Sequence, residues 1–223
     1  MARFVFIPEM GCSGDMVLGA LADLGAENEI RRSINLALGV DVSFSEVDKG
    51  GVRAKVFETS ADEKCSLEKT VGMIRSSADI LGFDDEQYDF AWNTFETIVE
   101  SGRKMHGFDE HLHKIANINT VVDIIGSAIG LAALGAFESE VITAPIAVGK
   151  EPAPATIEIL KKRKFSFYTR DVKHELCTPT GASIMVNIAD GVGKIPQIDE
   201  YTEGCGGGKN NFSLPNVLRL RIL

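Results

Sequence analysis

Gly11-Cys12-Ser13-Gly14-Asp15-Met16 is the stretch that decides the fold, because it joins the first predicted strand to the first predicted helix. Residues 3–7 are typical of a short buried strand, and apolar residues then recur at helical spacing over residues 16–24. Ser13 is placed to cap the helix, and Asp15 falls in its first turn, where the helix dipole favours a carboxylate. The turn is either an ordinary capped glycine turn or an anion site made by backbone N–H groups.

Composition excludes several classes of protein. The chain has 223 residues, of which 44% are hydrophobic and 25% charged, as in ordinary globular proteins. A net charge of −9 argues against broad binding to nucleic acid or to an anionic membrane. There is no apolar run long enough to span a bilayer and no signal peptide, so we expect a cytoplasmic protein. We expect one domain over residues 1–223, and the sequence leaves open whether it forms homo-oligomers.

Strands and helices alternate along the chain in a way that predicts an α+β (mixed α/β) fold, with helices packed against a mixed sheet. Residues 42–47 and 52–59 flank Lys49-Gly50-Gly51 and predict a β-hairpin. Further strands are predicted near residues 141–142, 165–168, 198–202 and 217–222. Further helices are predicted at 27–38, 66–80, 85–105, 120–134, 152–162 and 178–189. The helix at 120–134 is apolar on nearly every face and should be buried.

A histidine-rich connection precedes that buried helix. In an extended segment, His111 and His113 would point to the same side, as two ligands of one metal ion require. Neutral imidazole suits nickel, zinc or copper, and nearby carboxylates such as Asp123 could complete the ligand shell. The alternative is that these histidines are solvated in a polar loop.

Two later segments could also bind a ligand. Cys177-Thr178-Pro179-Thr180-Gly181 predicts a helix N-terminus, which either binds an anion or is simply well capped. The glycines of residues 204–208 permit close approach of the backbone to a ligand, and Lys209 is available for a phosphate. A flexible hairpin loop is the alternative for this glycine-rich segment.

Cys12, Cys177 and Cys205 each lie in a turn rich in glycine or threonine. If these turns meet at one edge of the sheet, the three thiols converge and would favour a soft metal ion. The alternative is that cysteine occurs in these tight turns by chance. The four cysteines of the chain are widely spaced and fit reduced thiols better than a disulfide framework.

In their order, these elements resemble the N-terminal part of the LarC-type nickel insertion proteins. The first turn of that family reads D-x-F-S-G-x-S-G-D-M-x-L-G-A-L, and residues 7–21 are IPEMGCSGDMVLGAL. Its central stretch reads H-F-H-E-V-G-A-V-D-S-I-V-D-I-x-G, and residues 111–126 are HLHKIANINTVVDIIG. Its P-A-P-A-T, E-L-T-T-P-T-G-A and G-x-G-x-G…P-N-V-L-R motifs match residues 152–156, 175–182 and 204–219.

The resemblance implies a function. Proteins of this family use CTP to insert nickel into a pyridinium bisthiocarboxylic acid mononucleotide, acting as metal chelatases of the lyase type. It implies nickel as the metal and a phosphorylated small molecule as the ligand. The C-terminal CTP-binding domain of the family has no counterpart in residues 1–223, so CTP would act only through a missing domain or a separate CTP-binding chain.

This chain departs from the family pattern at several charged positions. Ile7, Lys114 and Asn119 stand where the family has carboxylates, and Lys114 adds a positive charge beside the two histidines. Fewer negative charges should weaken the binding of a divalent cation. The sequence therefore resembles a divergent member of the family.

We predict one site built from all these segments, in which Ser13, His113, Thr180 and Gly206 line one cleft. Asp15 and Asp123 are the predicted catalytic carboxylates, and His111 and His113 the predicted metal ligands. The residues predicted to hold the phosphorylated ligand are Gly11, Ser13, Gly14, Thr178, Thr180, Gly204, Gly206 and Gly208. Two other functions stay open: a non-catalytic assembly subunit that serves a CTP-binding protein, and a thiol-dependent enzyme on the same scaffold.

Overall fold

The computed structural model describes residues 2–61, 63–103 and 117–223. Its helices are α1 (Gly14–Leu21), α2 (Glu27–Leu38), α3 (Leu67–Leu81), α4 (Asp85–Arg103), α5 (Ile118–Ala133), α6 (Pro154–Lys162) and α7 (Pro179–Ile188). Its strands are β1 (Arg3–Ile7), β2 (Val42–Asp48), β3 (Arg53–Thr59), β4 (Glu140–Thr143), β5 (Ile146–Val148), β6 (Phe167–Thr169), β7 (Gly191–Val192), β8 (Thr202–Gly207) and β9 (Val217–Ile222).

A mixed seven-stranded sheet forms the centre of the fold, in the order β2-β3-β8-β9-β1-β4-β7. Strand β1 is parallel to β4 and antiparallel to β9, and β9 is antiparallel to β8. Strands β1, β3, β4, β7 and β8 therefore share one direction. Strands β5 and β6 form a separate parallel pair. The predicted α+β class with a mixed sheet is confirmed.

The segments that follow β1 and β8 come together at one edge of the sheet, because both strands end there. The turn at residues 8–13 follows β1, and the loop at 208–216 follows β8. Ligands in open α/β sheets bind outside the carboxyl ends of such strands. The topology alone thus brings the first turn of the sequence beside a loop almost 200 residues away.

Helix α5 is the buried helix that the sequence predicts. Asn117 caps it by accepting a hydrogen bond from the backbone N–H of Thr120 at 2.7 Å. Ile124, Ile125 and Leu131 are fully buried, and Ile129 is partly buried. Gly126 and Gly130 face α1 and α2, where an added Cβ would lie 2.8 Å and 2.9 Å from leucine side-chain carbons. Within the described chain, no helix is both long enough and apolar enough to cross a membrane.

The structure of the glycine-rich segment differs from the one that the sequence predicts. We expected a strand at 198–202 followed by a glycine-rich loop, but β8 runs from Thr202 to Gly207 and includes the glycines. They serve close packing, because α1 lies directly on this strand. A Cβ on Gly204 would lie 2.4 Å from the carbonyl oxygen of Ala20, and one on Gly206 only 1.8 Å from that of Met16.

Candidate functional site

A cavity of about 320 Å³ opens where three segments meet at the carboxyl edge of the sheet. The segments are the N-terminus of α1, residues 174–178 and the loop at 208–216. Its lining residues are Ser13, Asp15, Met16, His174, Glu175, Leu176, Thr178, Gly208, Lys209, Asn210, Phe212 and Asn216. Four residues that the sequence predicts for the site, Ser13, Asp15, Thr178 and Gly208, are therefore placed around one cavity.

The first wall of the cavity is the start of α1. The side chain of Ser13 accepts a hydrogen bond from the backbone N–H of Met16 at 3.3 Å, as expected of a helix cap. Asp15 lies in the first turn with its side chain 21% exposed. The positive end of the helix dipole stabilises that carboxylate, so the dipole and Asp15 partly neutralise each other.

The second wall is the segment that leads into α7. Thr178 caps this helix by accepting a hydrogen bond from the backbone N–H of Gly181 at 3.1 Å. Its own backbone N–H donates to the carbonyl oxygen of Cys12 at 2.9 Å, which joins the two turns directly. Burial raises the pKa of Glu175 in this wall, and a hydrogen bond from the backbone N–H of Ala153 opposes that shift.

The third wall is the loop after β8. The backbone N–H of Gly208 donates to the carbonyl oxygen of Asn216 at 2.9 Å, and the side-chain amide of Asn216 donates to the backbone carbonyl oxygen of Asn210 at 2.8 Å. These bonds close the loop, and they place the ammonium of Lys209 2.8 Å from the carboxylate of Asp15. The cavity therefore holds a cation and carboxylates side by side.

Asp123 lies behind the first wall, against the backbone of α1. A Cβ on Gly14 would be 2.1 Å from a carboxylate oxygen of Asp123, so glycine is required for this contact. Burial raises the pKa of Asp123 well above its usual range; the charge of Asp15 raises it further, and that of Lys209 lowers it. The two predicted catalytic carboxylates are thus electrostatically coupled, although Asp123 is not a lining residue of the cavity.

The raised pKa of Asp123 predicts how stability depends on pH. A carboxyl group whose pKa is higher in the folded state binds its proton more tightly there, so the free energy of unfolding falls as pH rises above the ordinary pKa of aspartate. Asp123→Asn has no titratable group at this position, so we expect the variant to lack this pH-dependent loss of stability. The melting temperature of the variant minus that of the wild type should therefore become more positive as pH increases. Thermal melts of both proteins between about pH 4 and about pH 8 measure the difference. A difference that stays constant with pH would contradict it.

The other predicted ligand-binding residues are placed in the walls or away from the cavity. Gly11 packs against the backbone of Leu176, and Gly14 packs against Asp123. Gly204 and Gly206 pack against α1. Thr180 lies in the first turn of α7 and is not a lining residue. Small residues here allow backbones to approach one another, and a sequence cannot distinguish that role from close approach to a ligand.

Two of the three cysteines converge. The sulfur atoms of Cys12 and Cys177 lie 3.4 Å apart, whereas Cys205 packs with Ala54 and Val217 in a separate cluster. The contact with Cys177 and burial raise the pKa of Cys12 well above its usual range. Burial, helped by the charge of Glu203, raises the pKa of Cys205 to about 11. Neither Cys12 nor Cys205 has the properties of an activated nucleophile, which weakens the thiol-enzyme alternative.

The predicted metal ligands cannot be placed. His111 and His113 lie outside the described residues, as does Lys114, so their convergence with Ser13 stays a prediction. Among the residues that the structure does describe, no group of three or more histidine, cysteine, aspartate or glutamate side chains is arranged to hold a metal ion.

Sequence reasoning missed several lining residues, among them His174, Asn210, Phe212 and Asn216. The rings of His174 and Phe212 lie 5.5 Å apart and form an aromatic patch on the cavity wall. Neither residue belongs to a recognisable spacing pattern. The sequence signals nearest to them are the capping Thr178 and the glycine-rich strand. Those signals could have drawn attention to the residues beside them.

Comparisons with known proteins find one family. A sequence model of the family described as "Nickel insertion protein" matches residues 4–222. A putative nickel insertion protein of Methanothermobacter thermautotrophicus is 34% identical over 94% of this chain and 56% of its own length. One from Methanosarcina barkeri is 32% identical over 98% of this chain and 59% of its own length. No solved structure matches.

These matches identify the class of protein. A pyridinium-3,5-bisthiocarboxylic acid mononucleotide nickel insertion protein of Staphylococcus saprophyticus is 31% identical over 94% of this chain and 56% of its own length. The chain belongs to the nickel insertion protein family. It spans a little over half the length of these curated relatives.

Proposed function

We propose that this chain takes part in inserting nickel into a pyridinium bisthiocarboxylic acid mononucleotide, and that the cavity beside Ser13 binds this phosphorylated compound. The observation that carries the proposal is that one cavity combines a lysine, carboxylates and an aromatic patch. The proposed substrate carries both signs of charge as well, because it has a pyridinium cation, a phosphate and thiocarboxylate groups.

The phosphate is assigned to the side of the cavity that holds Lys209. The N-termini of α1 and α7, where Ser13 and Thr178 line the cavity, add the positive ends of their helix dipoles. Lys209 is 68% exposed and its partner is Asp15, so an incoming phosphate competes with Asp15 for the ammonium. The amide side chains of Asn210 and Asn216 add polar groups to the same wall.

The pyridinium ring is assigned to the part of the cavity beside His174 and Phe212. A cation placed over the face of an aromatic ring is attracted by the electrons of that ring. Glu175 lies next to His174 and supplies a carboxylate to the cavity, which favours a cationic ligand. A neutral ring would be bound less tightly, because neither the aromatic pair nor Glu175 would attract a positive charge on it.

Nickel enters the proposal as a substrate. Asp15 and Asp123 are the carboxylates proposed to act on the nickel or on the protons that its binding releases, with His111 and His113 as the donors that deliver it. A phosphate that draws Lys209 away would leave Asp15 free for the metal. We further propose that CTP acts through a separate chain or a further domain, in line with the family resemblance.

Replacing Lys209 by methionine tests the phosphate side of the cavity. We expect Lys209→Met to weaken binding of nicotinic acid mononucleotide, a pyridinium that carries a phosphate, by about 10- to 100-fold. The reason is that a hydrogen bond to a charged group contributes about 1.5–3 kcal/mol. Isothermal titration calorimetry measures the dissociation constant.

Lys161→Met is the matched control for that experiment. Lys161 is exposed in the last turn of α6 and is not a lining residue, so its variant loses the same charge without touching the cavity. We expect its affinity to equal that of the wild type. Equal weakening by both variants would show that only the overall charge matters and would contradict the assignment of the phosphate to Lys209.

Nickel titration tests the metal side of the proposal. We expect wild-type affinity to be weak and to fall as pH drops through about 6.5, where free imidazole gains a proton. The double variant His111→Ala/His113→Ala should lose most of the binding, and Lys114→Glu/Asn119→Asp should strengthen it by adding negative charge. Unchanged binding by the double alanine variant would rule out the two histidines as ligands.

A further inference from the structure

Cys12 and Cys177 form a buried pair of thiols that the proposed function does not use. Their sulfur atoms lie 3.4 Å apart, although 165 residues separate them along the chain. Their exposed fractions are 0% and 1%. Both are free thiols, and they are in hydrogen-bond contact with each other.

The backbone around the two sulfur atoms is held in place from both sides. The backbone N–H of Thr178 donates to the carbonyl oxygen of Cys12 at 2.9 Å. A Cβ on Gly11 would lie 2.0 Å from the carbonyl oxygen of Leu176, and one on Gly181 would lie 2.3 Å from that of Cys12. The two turns therefore pack backbone against backbone, which keeps the thiols facing each other.

We propose that Cys12 and Cys177 are a site of reversible disulfide formation that links the turn before α1 to the turn before α7. Closing the bond brings the sulfur atoms from 3.4 Å to about 2.05 Å, a movement of about 1.4 Å. The other two cysteines have different surroundings. Cys65 contacts the carbonyl oxygen of Glu63, and Cys205 contacts the side chain of Glu203.

The oxidant is a low-molecular-weight disulfide. Cys177 loses its proton, and its thiolate attacks a sulfur of that disulfide, forming a mixed disulfide and releasing one small thiol. The second cysteine loses its proton to water and displaces the second small thiol, which forms the bond between Cys12 and Cys177. Two protein thiols are oxidised, and one small disulfide is reduced to two thiols.

The cavity is the side from which we expect a small reagent to approach the buried pair. Ser13 and Thr178, the residues that follow the two cysteines, both line it. The link closes a loop of about 165 residues and so restricts the unfolded chain. It also ties together two walls of the cavity at their bases.

The test compares the full chain after prolonged incubation with excess oxidised glutathione and after reduction with dithiothreitol. We expect two of the four thiols to become unreactive and the mass to fall by about 2 Da. Peptide mapping should find the segment with Cys12 joined to that with Cys177. The melting temperature should rise by roughly 5–10 °C in the oxidised form.

Variants separate this pair from the other cysteines. The double variant Cys65→Ser/Cys205→Ser should still lose two reactive thiols and gain melting temperature on oxidation. Each of the single variants Cys12→Ser and Cys177→Ala should show neither change. Retention of all four thiols, a link between any other pair or a link between two chains would overturn the proposal. The measurement needs no ligand, so its outcome is separate from that of the proposed function.

Discussion

Gly206→Ala is expected to destabilise the fold by about 3 kcal/mol or more, enough to remove much of the stability of an ordinary domain. The new Cβ would lie 1.8 Å from the carbonyl oxygen of Met16 and 2.7 Å from the backbone nitrogen of Ala20. Both are backbone atoms of α1, so no side chain can rotate to make room. Strand β8 and the helix must separate instead. Urea denaturation followed by circular dichroism measures the loss.

Gly72→Ala is the matched control, because it adds the same methyl group where there is space. Gly72 lies in the interior of α3 and is exposed, and outside its own helix backbone no atom lies within 4 Å of the position that the new methyl group would take. Alanine is the better helix former, so we expect this variant to be more stable than the wild type by about 0.5–1 kcal/mol. If Gly206→Ala stays as stable as the wild type but loses ligand binding, Gly206 belongs to the binding site and the packing argument is wrong.

Ile125→Asp is expected to abolish soluble expression. Ile125 is fully buried in α5 and packs in a cluster with Ile74, Phe95 and Ile98. The variant loses the packing of a buried aliphatic side chain, about 2–5 kcal/mol, and places an unpaired carboxyl group in the same space. The sum is comparable to the whole free energy of unfolding of a typical domain. Soluble yield and the far-ultraviolet spectrum of any recovered protein are the measurements.

Leu36→Asp provides the comparison for that variant. Leu36 is 67% exposed on α2, so the same new charge stays in water. We expect a change in the free energy of unfolding within about 1 kcal/mol and normal expression. A normally folded Ile125→Asp protein would mean that the centre of the core lies elsewhere.

The local elements could be predicted because their signals are short-range. Ser13 and Thr178 precede apolar runs and cap helices, as expected of hydroxyl side chains at these positions. The glycines at the turn between β2 and β3 give a hairpin for a similar local reason. The apolar character of α5 on nearly all faces indicated that it must be surrounded by other elements.

The glycines after Thr202 show where local reasoning fails. A run of glycine is typical of a flexible loop, yet Gly204 and Gly206 lie in a paired strand. What decides their conformation is the close approach of α1 from elsewhere in the chain. The same holds for Gly14, whose missing side chain leaves room for the carboxylate of Asp123.

The sequence by itself determined the capped turn at Gly11–Met16, the α+β class, the buried helix and, through its motifs, the family. These depend on periodicity, capping and residue order, which neighbouring residues specify. Only the tertiary structure decided that Lys209 pairs with Asp15, that His174 and Phe212 join the cavity and that Cys12 meets Cys177 while Cys205 does not. The reason is that strand direction brings the ends of β1 and β8 to one edge of the sheet, and no local pattern records that meeting.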